Sequence, residues 1–266
     1  MNKNLLGIGT SVSRDRDYDP MDTLDFAKET GIPVVQVYLN DQLLTRPELI
    51  EDICEYAGEK DLRLTCHAPE PLNTNGLSPA IITAAKKLLA YQEEKKLIIH
   101  FDENERLDDC LHHIDHLYQH GIITCLENYY VRRDVKSFAH NNRIFKSIFA
   151  VARAKGLPMY PVIDFPRLFI SGIVEHINAL LTTKKILDVL SMLSYKTILH
   201  MIDFSDHSQK RNAWCTIGKG LMPYKAIFEF MSEIDLAIDH CVLEYEDKVL
   251  CERSLSPAQK LLKLLS

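Results

Sequence analysis

Short apolar runs alternate along the chain with longer segments in which apolar residues recur at helical spacing. The runs show almost no alternation of apolar and polar positions, which is typical of parallel strands buried on both faces. We therefore predict eight strands, which are Leu5–Gly9, Pro33–Tyr38, Leu62–His67, Lys96–Phe101, Ile122–Asn128, Met159–Asp164, Thr197–Ile202 and Cys241–Tyr245.

The segments between these runs carry the start and stop signals of helices. Asp19-Pro20 and Ser78-Pro79 each begin a predicted helix, because proline is favoured in the first helical turn. Gly31 ends the first of these helices, since glycine readily adopts the conformation that follows a helix. Further helical patterns occupy about 174–194, 222–236 and 256–265.

Eight strand–helix units in 266 residues predict a single (β/α)8 TIM barrel, a fold of about 250 residues. A doubly wound open sheet is the rival, but it usually carries a glycine-rich turn after its first strand. Here Gly7-Ile8-Gly9 is followed by a charged loop and lacks the third glycine. No linker-like segment interrupts the series, so we expect residues 1–266 to form one domain.

Charge and composition narrow the classes of partner. The chain has 31 Lys and Arg against 37 Asp and Glu, a net charge of −6, which makes a nucleic-acid partner unlikely because phosphates are bound by Lys and Arg. We find no apolar stretch near the ~20 residues of a membrane span and no signal-peptide pattern. The expected partner is a small molecule, and the expected location is the cytoplasm.

The chemistry of a TIM barrel lies at the carboxyl ends of its strands. Six consecutive predicted strands end in residues that commonly bind metals, namely His67, His100, Glu127, Asp164, His200 and Glu244. A single buried ionisable group is usually structural. Several converging on one barrel mouth would repel or desolvate one another unless a cation neutralised them.

Four of these residues form the predicted metal site. Glu127, Asp164, His200 and Glu244 follow four successive barrel strands. Three carboxylates and one imidazole make an oxygen-rich site, which favours Mn²⁺ or Mg²⁺ and also suits Co²⁺ or Zn²⁺.

The order of the strand-end motifs resembles that of the xylose isomerase-like barrel superfamily. The motifs are His67-Ala68-Pro69, Leu126-Glu127-Asn128, Ile163-Asp164, His200 with Asp203, Gly218-Lys219-Gly220, and Leu243-Glu244. That superfamily includes sugar and sugar-phosphate isomerases and epimerases, inosose dehydratases and family-2 apurinic/apyrimidinic endonucleases. The resemblance implies a divalent metal on the four residues above, with Glu127 and Glu244 also moving protons. It also implies a possible homo-oligomer.

The sequence departs from the superfamily pattern at three positions. Arg167 stands where members commonly have histidine, and Asn212 and Trp214 stand where the endonucleases have aspartate and histidine. A guanidinium or an indole cannot bind a metal, so the trinuclear zinc cluster of the endonucleases is broken. Arg167 can instead clamp a phosphate or carboxylate of the substrate, or pair with Asp164 and weaken the metal; the sequence leaves both open.

Further residues at the strand ends are candidate substrate contacts. These are His67, His100, Arg167, Asp203 and Lys219. Lys219 belongs to a G-x-G segment, which is either a phosphate contact or a plain turn. We also expect Asp203–Gly220 to form a lid, and Tyr129–Arg133 either to cover the site or to cover the edge of the barrel.

His112, His116 and His120 recur at a spacing that can bind a metal on a helix. The apolar stripe of the same segment, which includes Leu111 and Leu117, is expected to face the barrel. The three histidines then face solvent, and we interpret them as a solvated helix face.

These features predict a metal-dependent isomerase or epimerase of a small sugar, sugar phosphate or related hydroxy-carbonyl compound. The two glutamates would transfer the proton bound to a substrate carbon. A dehydratase acting on a cyclic polyol or keto acid could use the same site. The alternatives are a phosphodiesterase acting on abasic DNA and a non-catalytic barrel that binds a metal or a partner.

Overall fold

Eight parallel strands close into a barrel in the computed structural model, which describes residues 5–73, 75–102, 106–128, 138–174, 178–206 and 211–265. Two further short strands lie outside the barrel. Numbered in chain order, all of these strands are β1 (Leu6–Gly9), β2 (Val34–Tyr38), β3 (Arg63–His67), β4 (Lys96–His100), β5 (Ile123–Glu127), β6 (Met159–Asp164), β7 (Thr197–Met201), β8 (Asp203–Phe204), β9 (Trp214–Cys215) and β10 (Ile238–Leu243). Strands β8 and β9 form a separate antiparallel pair, and the barrel order is β1-β10-β7-β6-β5-β4-β3-β2. The predicted (β/α)8 TIM barrel is confirmed.

Helices surround the barrel and follow the predicted start signals closely. They are α1 (Pro20–Thr30), α2 (Asp41–Thr45), α3 (Pro47–Glu59), α4 (Pro79–Leu88), α5 (Leu107–Gln119), α6 (Phe138–Ala154), α7 (Phe165–Val174), α8 (Ala179–Met192), α9 (Tyr224–Glu233) and α10 (Lys248–Leu262). Asp19 accepts a hydrogen bond from the backbone N–H of Met21 and so caps α1, which ends at Gly31 with a φ of 69°. No helix in the described ranges is long and apolar enough to cross a membrane.

Two helices differ from the prediction. The pattern over 174–194 corresponds to α8, and the additional helix α7 begins directly at the end of β6, where Asp164 accepts a hydrogen bond from the backbone N–H of Arg167 at 3.0 Å. Helix α10 was predicted over 256–265 but begins at Lys248, because Asp247 accepts from the N–H of Leu250. It continues through Pro257 while burying its inner face.

The inner face of the barrel changes from apolar to polar toward the carboxyl ends of the strands. Five apolar side chains form a packed layer inside the barrel, namely Ile98, Cys125, Val162, Ile198 and Val242. Side chains two positions apart on a strand share a face. The residues two positions beyond this layer are therefore directed toward the barrel mouth, and they are His100, Glu127, Asp164, His200 and Glu244.

Candidate metal centre and cavity

The strand register places the candidate residues side by side at the barrel mouth. His100 of β4 is paired with Glu127 of β5, and Asp164 of β6 is paired with His200 of β7. Glu244 follows the last residue of β10. The barrel thus brings together five residues that lie far apart in the sequence.

Glu127 lies at the centre of this group and is 1% exposed. Its Oε2 atom lies 3.2 Å from Nε2 of His67 and 3.1 Å from Nε2 of His100. Its Oε1 atom lies 3.3 Å from Nδ1 of His200 and 3.6 Å from Nε of Arg167. One buried carboxylate is therefore shared by three imidazoles and a guanidinium.

His200 lies between the two glutamates and is held from behind by Gln36. Its Nδ1 atom lies 3.3 Å from Oε1 of Glu127 and 3.1 Å from Oε2 of Glu244. Its Nε2 atom donates to Oε1 of Gln36 at 2.9 Å, and Nε2 of Gln36 donates to Oε1 of Glu244 at 2.9 Å. The Gln36 amide thereby orients a histidine and a carboxylate together.

The charges of the cluster support one another despite its burial. Burial disfavours the charged form of Glu127, but His100 and His200 outweigh it and hold the pKa of the carboxyl well below its ordinary value. Burial likewise disfavours the charged form of His200, yet Glu244 and Glu127 raise its pKa well above the ordinary value. Positive charge is therefore favoured where the Nδ1 atom faces the two glutamates.

Asp164 is bound on both carboxylate oxygens by one residue. Its Oδ1 accepts from the backbone N–H of Arg167, and its Oδ2 lies 2.6 Å from Nε of the same arginine. Burial raises the pKa of Asp164 to about 6 although Arg167 acts in the opposite direction. Of the two alternatives that the sequence leaves open for Arg167, the structure shows the pairing with Asp164.

The donor set suits a divalent cation. One ligand atom each from Glu127, Asp164, His200 and Glu244 lies within 4.8 Å of every other. Neighbouring ligands of an octahedral ion with bonds of about 2.2 Å are roughly 3.1 Å apart and opposite ligands about 4.4 Å. The separations of His200 Nδ1 from the two glutamates, 3.3 and 3.1 Å, match neighbouring positions, so these residues fit a metal site.

A second donor set shares Glu127 with the first. His67 and His100 offer ligand atoms that lie within 4.8 Å of each other and of a Glu127 oxygen. His67 also places Nδ1 at 2.8 Å from the carbonyl oxygen of Ala68, which fixes its ring. Such outer hydrogen bonds are common for histidines that bind metals.

Glu127, Asp164 and Glu244 line a cavity of about 530 Å³ together with His67, His100 and Arg167. The lining also includes hydroxyl, amide and aromatic side chains, among them Thr10, Ser11, Tyr38, Asn40 and Trp214. A lining of charged and hydrogen-bonding groups suits a small molecule with several hydroxyl groups.

The structure gives Asp203 a different role from the predicted substrate contact. Asp203 is fully buried. Its Oδ2 accepts from the N–H groups of Gly218 and Gly220, and its Oδ1 accepts from those of Phe204 and Met222. The carboxylate is therefore engaged in holding the loop around itself.

The G-x-G segment is explained by this loop. Gly218 has a φ of 80°, which favours glycine, and a Cβ atom at Gly220 would overlap the Asp203 carboxylate. Lys219 is exposed and does not line the cavity described above. The segment is thus a turn built around Asp203, and neither Asp203 nor Lys219 is retained as a substrate contact.

Two polar residues of the site are given no role by the sequence reasoning. Gln36 is a single polar residue within the apolar run of β2, and this interruption was the available signal. Asn128 accepts from the backbone N–H of Asp164 at 2.7 Å and donates to its carbonyl oxygen at 3.1 Å. It thereby joins the ends of β5 and β6.

The other residues that the sequence analysis singles out are not part of the donor set formed by Glu127, Asp164, His200 and Glu244. His112, His116 and His120 are exposed on and just beyond α5, as predicted. Within the predicted lid, β8 and β9 pair, and Trp214 reaches the cavity. Residues 207–210 of that lid and the segment Tyr129–Arg133 lie outside the described residues.

Comparison with solved structures shows the same barrel in several proteins. The chain is similar to the probable 3-DHS dehydratase AsbF of Bacillus anthracis, with a TM-score of 0.65, 14% identity and coverage of 96% of this chain and 98% of the other. It is similar to D-psicose 3-epimerase of Clostridium cellulolyticum H10, with a TM-score of 0.62, 11% identity and coverage of 98% and 99%. It is also similar to a xylose isomerase domain protein of Alicyclobacillus acidocaldarius, with a TM-score of 0.62, 16% identity and coverage of 98% of this chain and 99% of the other.

No protein-family model matches the chain, and no curated protein matches it. The structural likeness at these low identities establishes the fold, a (β/α)8 barrel that this chain shares with these proteins. The donor sets at the barrel mouth add clusters that can hold a metal.

Proposed function

We propose that the protein is a divalent-metal-dependent isomerase or epimerase of a small polyhydroxylated carbonyl compound. The observation that carries this proposal is the convergence of Glu127, Asp164, His200 and Glu244 on one point beneath the cavity. The barrels of D-psicose 3-epimerase and of the xylose isomerase domain protein, to which this chain is similar, support the same class. We place the enzyme in the cytoplasm.

A bound Mn²⁺ or Mg²⁺ would supply Lewis-acid stabilisation of negative charge developing on substrate oxygens. The four converging residues would hold the ion. Gln36 fixes His200 so that its Nδ1 atom faces the site, and it also fixes one oxygen of Glu244. The residues that bind the ion are thus held in place before it arrives.

Glu127 and Glu244 are the proposed catalytic bases. Their carboxylates lie on either side of His200 Nδ1, at 3.3 and 3.1 Å. One removes the proton from the carbon next to the carbonyl, and the other returns a proton to the isomerised product. The pKa of each glutamate is lowered by its neighbours, chiefly by His100 and His200 for Glu127 and by His200 for Glu244, although burial opposes both shifts. Each is therefore ionised at neutral pH, which is the form that a base requires.

Substrate contacts are proposed along the cavity wall. His67 and His100 face Glu127 and can bind hydroxyl groups of the substrate, and Arg167 can bind an oxygen on the same side. Asn40 and Ser11 also line the cavity. A sugar-sized ligand could offer hydroxyl groups to these side chains as well.

Hydrogen–deuterium exchange tests the proposal. The protein is incubated with Mn²⁺ in D₂O and a panel of ketoses, aldoses and their phosphates, and loss of the signal from the carbon-bound proton is followed by NMR. We expect exchange with the wild type, and a fall of at least about 10²-fold in Glu127→Gln. Glu252→Gln, which alters an exposed glutamate of α10, is the matched control. Exchange that persists in Glu127→Gln would remove the proposed role.

Phosphodiester hydrolysis is a second candidate function. The second donor set, His67 and His100 with Glu127, favours it because two ions sharing a carboxylate suit that reaction. Arg167 stands where superfamily members commonly have histidine, and Asn212 and Trp214 stand where the endonucleases have aspartate and histidine, which counts against this candidate. The net charge of −6 also disfavours DNA. Incision of an abasic-site duplex with added Zn²⁺ would favour this candidate over the isomerase.

A further inference from the structure

Arg167 contacts two of the four proposed metal ligands. Its Nε atom lies 2.6 Å from Oδ2 of Asp164 and 3.6 Å from Oε1 of Glu127. Both carboxylates are buried, with Asp164 6% and Glu127 1% exposed. A fixed positive charge therefore lies beside the oxygens that a divalent ion requires.

The fold explains why this guanidinium stands at the metal site. Helix α7 begins at Phe165, directly after β6, and Asp164 caps it by accepting from the backbone N–H of Arg167. The cap places Arg167 in the first turn of α7, where its side chain can reach back to the second oxygen of the capping residue. The residue that caps the start of α7, Asp164, is thus also the residue that forms the ion pair with the Arg167 guanidinium.

The guanidinium borders the cavity as well as the carboxylates. The Arg167 side chain is 35% exposed and lines the cavity. Its terminal nitrogen lies 3.4 Å from Nε2 of His100, which also lines the cavity. Arg167 thus lies between the buried carboxylates and the space that a substrate would occupy.

We propose that Arg167 competes with the metal ion for Asp164 and Glu127 and thereby sets the affinity of the site. Two positive charges within a few ångströms of the same buried carboxylates repel each other. The ion binds when the guanidinium leaves Asp164, and the displaced guanidinium then faces the cavity, where it meets an anionic or carbonyl oxygen of the substrate. This inference rests on the metal site of the proposed function.

Metal titration of the full chain tests the competition directly. Mn²⁺ is titrated by calorimetry into chelator-treated wild type, Arg167→Met and Arg167→Gln. We expect both variants to bind Mn²⁺ at least about tenfold more tightly, because each removes the charge; the glutamine variant keeps hydrogen-bonding capacity. A Tm measurement with and without Mn²⁺ gives a second readout, with a larger Mn²⁺-induced rise in the variants.

Arg14→Met is the matched control. Arg14 forms an ion pair with Glu246 at 3.2 Å, near the cavity but away from the four ligands. If the effect of Arg167 is local, Arg14→Met changes the affinity less than about twofold. Adding Asp164→Asn to Arg167→Met should remove the gain, since the ion then lacks a ligand.

Three other outcomes of these titrations would contradict the inference, and they can be told apart. Equal or weaker Mn²⁺ binding by both Arg167 variants would show that the arginine does not compete, while the metal site itself survives. An equal gain in Arg14→Met would show a general charge effect and overturn the local competition. Failure of the wild type and both variants to bind Mn²⁺ would overturn this inference and the proposed metal-dependent function together.

Discussion

Gln36 accepts a hydrogen bond from Nε2 of His200 at 2.9 Å and so determines which ring nitrogen faces the two glutamates. The Nδ1 atom is left directed at Glu127 and Glu244. Gln36 is 4% exposed and stands among apolar residues of β2. A polar side chain at such a position is retained by the fold only because its amide is hydrogen-bonded.

Replacing Gln36 should weaken the metal site without removing a ligand. In Gln36→Leu, His200 loses the partner that fixes its ring, and Glu244 loses a hydrogen bond. Loss of such an outer partner typically lowers metal affinity about 10–100-fold, and we expect a fall in that range in a Mn²⁺ titration. Gln42→Leu, an exposed position on α2, should bind as the wild type does. Unchanged affinity in Gln36→Leu would contradict the orienting role.

The Asp203 carboxylate should control the stability of the loop that follows β7. In Asp203→Asn, the NH₂ group cannot accept the hydrogen bonds that one carboxylate oxygen now receives from Gly218 and Gly220. We expect a loss of about 2–4 kcal/mol in the free energy of unfolding, measured with urea. Asp52→Asn, on the exposed face of α3, should change it by less than about 0.5 kcal/mol. Equal effects of the two substitutions would refute this account of the loop.

The two glycines of the same turn should differ in their tolerance of alanine. Gly218 has a positive φ but open space around a Cβ, whereas a Cβ at Gly220 would overlap the Asp203 carboxylate. Gly218→Ala should cost about 1–2 kcal/mol through backbone strain alone. Gly220→Ala should cost more, and thermal unfolding of both variants gives the order. The reverse order would mean that the Asp203 contacts do not set the turn.

A buried ion pair at the amino-terminal end of the barrel should contribute to stability. Lys96 Nζ lies 2.8 Å from both oxygens of Asp239 and 2.8 Å from Glu94, and the Lys96 side chain is 8% exposed. Asp239→Asn leaves this ammonium poorly compensated, so we expect a loss of about 3 kcal/mol by urea denaturation at pH 7. Glu229→Gln breaks the exposed pair with Lys225 and should cost less than about 1 kcal/mol. If Asp239→Asn also lowered the free energy of unfolding by less than about 1 kcal/mol, the buried pair would not contribute to stability as proposed.

The same carboxylate predicts an acid limb in the stability profile. Burial opposes the charge on Asp239, but His240 and Lys96 outweigh it, so its pKa lies below the ordinary value. The unfolded chain therefore binds this proton more readily, and the stabilisation is present above about pH 4 and lost as the pH falls toward the folded pKa. Urea denaturation from pH 7 to pH 3 should show a shallower acid decline in Asp239→Asn than in the wild type. Parallel profiles would exclude this contribution.

The barrel and the position of its chemistry could be predicted because both follow from simple patterns. Runs such as Ile122–Asn128 are apolar on both faces, and polar residues such as Glu127 and Asp164 appear where those runs end. Side chains two positions apart share a strand face, so the change from Cys125 to Glu127 marks the mouth of the barrel. The pattern contains this information without any knowledge of tertiary contacts.

The contacts that tune the site depend on more than the strand pattern. The sequence leaves the pairing of Arg167 with Asp164 open as one of two alternatives, because the pairing depends on α7 starting at once after Asp164, and an isolated Asp-x-x-Arg sequence does not determine where a helix begins. Asp203 stood at a strand end like the other candidates, but the loop folds back and directs four N–H groups at it. Such roles are decided by where distant backbone groups lie.

Anomalous scattering from crystals grown with Mn²⁺ would locate the ion and its ligands in a single experiment. We predict an anomalous peak about 2.0–2.3 Å from one ligand atom each of Glu127, Asp164, His200 and Glu244, with the Arg167 guanidinium moved away from Asp164. Absence of a peak in both the wild type and Arg167→Met, with the four side chains in their present contacts, would contradict it.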